Sequence, residues 1–462
     1  MDLEMRDKVN APIIKEYSGP TMKVIFGVAF ATLSLLVCTT VVAYYAISQI
    51  TNRFEETELS RSTVPLLAGP PTNNHIAYIG NDNNVWVIDP AGEQPRKLTN
   101  DGRGYRFPTW APDSRRLAFL GPDDDDNTAL YISPTTGGEP TIVFDDKRSA
   151  PFYLYWAPDS QTITFLTQES SGLAMRQVNV NGIESNRIIE EGEPFYWVWS
   201  PAGDKLLMHV GGSRGSSREA HISLVDNKAE AERVELDLAP GNFQAPAWSS
   251  DGSNFFFIAE NNSGGESIYK TNATTLEEDV LTNLSGFTYL VLSPDDNYIA
   301  YLQIERGNRP PFGTAYIVDT EGQKHTKITE RPVGSMYWSP DGRKLALLTL
   351  AQREDGSSAS VGGLASPLPQ QLLLRWWIYD VESGNLDPLI SLAPTVAFLQ
   401  TVPYFDQYHL SLTFWSPDSR YFVITKEDTD VPGDGTVWIV DTTAKEEPRQ
   451  IGEGRLGVWS WK

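Results

Sequence analysis

The chain has 462 residues, 40% of them apolar, which is enough to bury a large core. Sixty acidic residues against 37 basic ones leave a formal charge of −23, and that balance argues against nucleic acid, whose phosphates would be repelled. A lone cysteine, Cys38, excludes a disulfide framework.

In chain order, residues 1–23 form a short tail with Arg6, Lys8, Lys15 and Lys23. Residues 24–50, VIFGVAFATLSLLVCTTVVAYYAISQI, carry no charge and are long enough for a helix to cross ~30 Å of hydrocarbon. The h-region of a cleaved signal peptide spans only ~7–15 residues. A lipoprotein signal would need a small residue where Val37 precedes Cys38. The stretch is therefore predicted to be an uncleaved signal-anchor helix, with Tyr44 and Tyr45 near its far interface. Cations precede it, whereas Arg53 and Arg61 follow amid Glu55, Glu56 and Glu58. That bias predicts a cytoplasmic N-terminus and an extracytoplasmic remainder. Residues 51–74 read as a linker, polar first and then rich in proline at Pro65, Pro70 and Pro71.

From His75 onward one strand follows another. Seven times an aromatic or apolar residue precedes a turn tetrapeptide and then an apolar strand. The copies are Trp110 with APDS, Trp156 with APDS, Trp199 with SPAG, Trp248 with SSDG, Leu292 with SPDD, Trp338 with SPDG and Trp415 with SPDS. An eighth begins at Trp459 and breaks off at Lys462. Spacings run from 43 to 49 residues, apart from one of 77 between Trp338 and Trp415. A period in the forties with strand–turn–strand units means sheets repeated around an axis. Proline presets φ in the turn, aspartate bonds nearby backbone, and the tryptophan packs between neighbouring blades.

Downstream strands such as VWVID (85–89), AYIVD (315–319), WWIYD (376–380) and VWIVD (437–441) complete each unit. Eight such signals predict an all-β propeller of eight four-stranded blades over 75–462, with seven the alternative. His75 opens on a second strand and lacks a first, while GVWSW (457–461) is a first strand with nothing after it. Joining them predicts a blade of three N-terminal strands and one C-terminal strand, which removes exposed edges.

The W-S-P-D-G turn, the strand after it and the I-Y-x-x-D strand resemble the TolB-type propeller repeat. They are also similar to the propeller domains of prolyl-oligopeptidase and dipeptidyl-peptidase relatives. TolB carries a soluble α/β domain where this chain has an apolar segment, and the peptidases add a hydrolase domain that does not follow the repeats here. The resemblance thus implies a fold and little activity.

Long loops fall mainly between second and third strands, at 121–128, 211–219, 260–266, 305–313, 351–371 and 427–435. A second insertion, LAPTVAFLQTVPYFDQYHL (392–410), should emerge on the same face. That face is the expected working face, and the linker's arrival at His75 puts the membrane beneath the short turns.

Chemistry-bearing patterns are sparse, and each has a plain competitor. Gly211 to Gly215 fits the G-x-S-x-G elbow, but that motif needs a strand-to-helix turn that a hairpin does not offer. Asp123, Asp124, Asp125 and Asp126 could gather Ca²⁺ or be a solvated charge run. Asp428, Asp430 and Asp434 resemble a calcium loop with Pro432 in a ligand position. His209 and His221 flank one hairpin without a third zinc ligand. No cofactor is otherwise indicated.

More suggestive are Phe107, Tyr153, Tyr196 and Tyr289, each three residues before the repeat position, with Arg106 and Arg455 one step further out. They sit on the innermost strand near the channel mouth, either as an aromatic funnel for a peptide or glycan or as inter-blade packing. The apolar insertion, with Phe398, Leu399, Tyr404, Phe405 and Tyr408, either caps that mouth or docks a partner. The expectation is a membrane-tethered, non-catalytic module that binds another envelope or membrane protein. Ligand binding in the funnel is the alternative. A hydrolase or lyase would need carboxylates or histidines converging in the channel, and the five histidines are scattered.

Overall fold

The computed structural model describes residues 74–170, 172–213, 219–228, 232–241, 244–305, 311–351, 372–428 and 431–462. The segment 24–50 read as a signal-anchor lies outside them. Among the described residues no helix is long and apolar enough to cross a membrane.

The chain folds as a single all-β propeller of antiparallel four-stranded blades. The blade Arg106–Trp110, Arg116–Pro122, Thr128–Pro134 and Thr141–Asp145 shows the plan, each strand pairing with the next in sequence. Inner strands are apolar on both faces because packed blades cover both. Every residue of Ile76–Gly80, Phe195–Trp199 and Val333–Trp338 is buried. Outermost strands such as Glu278–Leu284 are largely exposed and polar. Hydrophobic energy therefore concentrates toward the axis.

The repeat tryptophan fastens blades by a hydrogen bond as well as by area. Trp156 Nε1 donates to the Thr109 carbonyl (3.2 Å), Trp110 to Val458 (3.2 Å), Trp338 to Val291 (3.1 Å) and Trp415 to Tyr337 (3.0 Å). Each acceptor is the residue just before the repeat position in the neighbouring blade, so one register serves several interfaces. Trp199 and Trp248 pack in the same place, but their indole N–H groups have no partner among the described residues.

The fourth residue of each turn takes left-handed backbone. Gly203, Gly252 and Gly342 do so freely, but Ser114, Ser160, Asp296 and Ser419 do so at φ 55–60°. Those side chains offset the strain by capping the adjacent turn. Ser160 Oγ accepts from the Asp113 N–H (3.0 Å), Ser419 Oγ from Asp341 (3.0 Å) and Ser114 Oγ from Lys462 (3.0 Å), and the Asp296 carboxylate accepts from Ser250 (2.9 Å).

The strands form seven sheets among the described residues, which corrects the expected eight blades. Six sheets have four strands and the seventh has six. The cause is the eleven-residue strand Arg449–Trp459. Its first half pairs outside Gly435–Asp441, and its second half pairs inside Ile76–Gly80 in the register Ile76 to Trp459 and Tyr78 to Gly457. One uninterrupted strand thus ends one unit and starts the next, and ties the C-terminus to the N-terminal strands Ile76–Gly80, Val85–Ile88 and Arg96–Lys97.

Candidate functional site at the channel mouth

The insertion after Leu386–Leu392 forms a one-turn helix, α1 (Val396–Leu399), a 3₁₀ turn (Val402–Tyr404) and a second one-turn helix, α2 (Phe405–Tyr408). Thr395 caps α1, its hydroxyl accepting from the Phe398 N–H. The four residues of α2 touch the innermost strands of five sheets and, at Ala245, the segment just before the inner strand Ala247–Trp248 of a sixth. Tyr408 packs 5.9 Å from Phe107 and 5.1 Å from Tyr153, and Phe405 packs 5.2 Å from Tyr289 and 6.4 Å from Tyr337. Gln407 binds the backbone of Trp197, and Asp406 binds that of Ala245. Only a segment on the propeller axis can reach that many blades. The insertion is a plug in the channel mouth.

Gln407 behaves like an added strand residue. Its Oε1 accepts from the Trp197 N–H (3.1 Å), and its Nε2 donates to the Trp197 carbonyl (3.0 Å) and to the Tyr153 hydroxyl (2.7 Å). The Tyr153 hydroxyl donates in turn to the Gln407 carbonyl (2.9 Å). Asp406 Oδ2 accepts from the Ala245 N–H at 2.8 Å, while Oδ1 has no hydrogen-bond partner among the described residues. The side chain is fully buried, and burial pushes its pKa up to about 7 against the partial offset of nearby N–H groups. Burial likewise pushes neighbouring His409 down to about 4, and its Nδ1 has no partner either.

Of the four aromatics three residues before the repeat position, Phe107 and Tyr153 pack on Tyr408 and Tyr289 packs on Phe405. Phe107 and Tyr153 adopt left-handed backbone, φ 52° and 49°, where the inner strands slip register against their neighbours. A bulge of this kind re-aims a side chain at the cost of strain, and here both rings are aimed at Tyr408. Tyr196 and Tyr289 are raised in pKa by burial and by the Asp406 charge. Phe398 packs between Trp376 and Phe414, and Phe405 is fully buried. Tyr404 alone of the plug aromatics stands out, 52% exposed.

The two arginines do not join this constellation. Arg106 donates to the Thr128 hydroxyl (3.2 Å), and Arg455 donates to the Gly80 carbonyl (3.0 Å) and to Asn83. Asp406, Gln407, Ala245 and Trp197 are participants that sequence reading missed. The available signal was a polar Asp-Gln pair between Phe405 and Tyr408 in an otherwise apolar stretch.

The other candidates resolve into local structure. Asp123 accepts from the N–H groups of Asp125 (2.9 Å) and Asn127 (2.8 Å), Asp126 pairs with Arg103 (2.7 Å), and Asp125 pairs with Lys147. Asp428 N–H donates to the Asp434 carbonyl (3.0 Å), and Asp430 lies outside the described residues. Among the described residues no group of three His, Cys, Asp or Glu could hold a metal. His209 pairs across the hairpin with Ile222 and His221 with Val210, so strand alternation turns the two imidazoles to opposite faces. His209 lies between Gln244 and Gly212 in the core. The elbow-like segment sits in a hairpin loop whose residues 214–218 lie outside the described set.

No family model matches the chain. It is 25% identical over 177 residues to the uncharacterised peptidase YuxL of Bacillus subtilis, covering 38% of this chain and 25% of that protein. It is 20% identical over 286 residues to dipeptidyl-peptidase 5 of Porphyromonas gingivalis, covering 58% and 41%. The chain thus spans less than half the length of either. TolB β-propeller proteins are among its structural neighbours, including a putative TolB from Agrobacterium tumefaciens (18% identity, TM-score 0.39, covering 58% of this chain and 95% of that one). Dihydro-haem d1 dehydrogenase NirN superposes with a TM-score of 0.52 at 12% identity, covering 86% and 76%. At such identities the likeness is one of fold.

Proposed function

We propose that the chain is a membrane-tethered, extracytoplasmic propeller that binds another envelope or membrane protein without catalysing a reaction. One observation carries this reading: the mouth of the channel, where a propeller would hold a small ligand or a reacting centre, is filled by the chain's own residues. The surface proposed for a partner is the rim around the plug, where Tyr404 stands exposed. The opposite face offers short turns bonded to one another. His75 joins that short-turn face through reciprocal hydrogen bonds with Ser460 (His75 N–H to Ser460 Oγ 2.9 Å, Ser460 N–H to the His75 carbonyl 2.8 Å). That entry point supports a membrane on the short-turn side. The uncharged 24–50 stretch and the cations before it support the anchor and its direction.

Affinity capture from gently solubilised membranes tests this reading, with the intact chain compared against one lacking 351–371. A specific protein retained by the first and reduced with the second supports it. A glycosylation acceptor placed in that loop should be modified, and its failure to reach the glycosylating compartment would sink the topology. Ligand binding in the funnel, the second reading, requires the plug to leave.

A further inference from the structure

We propose that residues 393–412 are a detachable plug, latched through Asp406 and Gln407, which unseats as a unit while the ring of blades stays folded. The ring is complete without it. All of the sheet ladders are made by residues outside this segment, and its backbone attaches at its ends, by the Pro394–Lys426 bridge and the bond from Glu427 N–H to the Ala393 carbonyl. Its own secondary structure is two single turns of helix and one 3₁₀ turn, too short to persist without tertiary support. Between those ends it is held by the Gln407 carboxamide on Trp197 and Tyr153, the Ala245 N–H on Asp406, the Thr109 hydroxyl on the Ser411 carbonyl, the Thr395 hydroxyl on the Arg455 carbonyl, and the rings of Phe398, Phe405 and Tyr408.

Those contacts are also incompletely satisfied. Asp406 Oδ1 and His409 Nδ1 are buried with no hydrogen-bond partner among the described residues, and both would be hydrated on release. Phe107 and Tyr153 hold strained backbone to reach Tyr408, and that strain too could relax. Strong apolar contacts opposed by buried unsatisfied groups and backbone strain give a seated state favoured by a modest margin. Sub-global opening of such a segment occurs well below the free energy of global unfolding. Unseated, the plug would bare Tyr153, Tyr196, Tyr289 and the N–H groups of Trp197 and Ala245 as an open funnel.

Hydrogen exchange on the full chain in detergent tests this without any partner, so its outcome is independent of whether one is found. Amides of 396–412 should exchange at least about tenfold faster than those of inner strands such as Arg116–Pro122. Gln407→Ala should speed the plug by about a further tenfold and leave the strands unchanged, whereas Gln407→Glu should fall between. One shared protection level for plug and strands, or a Gln407→Ala variant that speeds both together or neither, would overturn the proposal.

Discussion

Trp156 and Trp199 are equally buried, yet the indole of the first donates to a neighbouring blade and that of the second has no described partner. Replacing either with phenylalanine removes similar area. Trp156→Phe additionally removes the indole hydrogen bond to the Thr109 carbonyl, so it should cost about 1 kcal/mol more than Trp199→Phe in urea unfolding. Equal shifts would show that the fastening is area alone. Asp406 and His409 make a second residue-scale prediction. The seated plug holds Asp406 protonated up to about 7, against about 3.9 when released, so seating weakens as pH rises through that window and is flat above it. For His409, held down to about 4 against about 6.5, seating weakens as pH falls between those values. The two trends oppose each other, and half-buried His409 has the smaller share. The wild type should therefore lose only a little thermal stability from pH 4 to 7. Asp406→Asn should instead gain stability from pH 4 to 6.5, and His409→Asn should lose more than the wild type; a melting series across that range decides it.

At the scale of elements, the turns were legible in the sequence because Pro, Asp and Gly have fixed conformational uses in them. Why some copies end in serine was not legible, since it depends on a neighbouring turn 47, 78 or 348 residues away. The structure supplies the reason and a contrast. Ser160 spends its left-handed strain on a bond to Asp113, whereas Ala444, at φ 53°, has no side chain able to make one. Ala444→Gly should stabilise by about 0.5–1 kcal/mol, and Ser160→Gly should be neutral or destabilising, both read from the denaturant midpoint. The plug helices were invisible to periodicity because each is a single turn. Their apolar composition pointed to burial, but not to a polar pair at their centre, which only the axial position explains.

For the whole molecule, the repeat period disclosed a propeller and the complementary chain ends disclosed its closure. The number of sheets escaped, because the sequence divides Arg449–Trp459 by its neighbours while the backbone runs through without a break. Removing residues 457–462 deletes the inner partners of Ile76, Ala77 and Tyr78 and the bonds from Trp461 to Trp110 and from Lys462 to Ser114. The ring should then open at one seam and its melting temperature fall by several degrees or more, while a deletion confined to 352–363 should leave it nearly unchanged. Unchanged melting after the C-terminal deletion would refute the closure as a source of stability.

That shared strand also sets a timetable. Ile76–Gly80 is synthesised long before its inner neighbour, since Ile76 pairs with Trp459 and Tyr78 with Gly457. At roughly 5–20 residues per second, the N-terminal strands wait on the order of tens of seconds with an unpaired edge. The nascent molecule is thus most vulnerable to mispairing while it is still being made. The ring can close only once Gly457–Trp459 has been made.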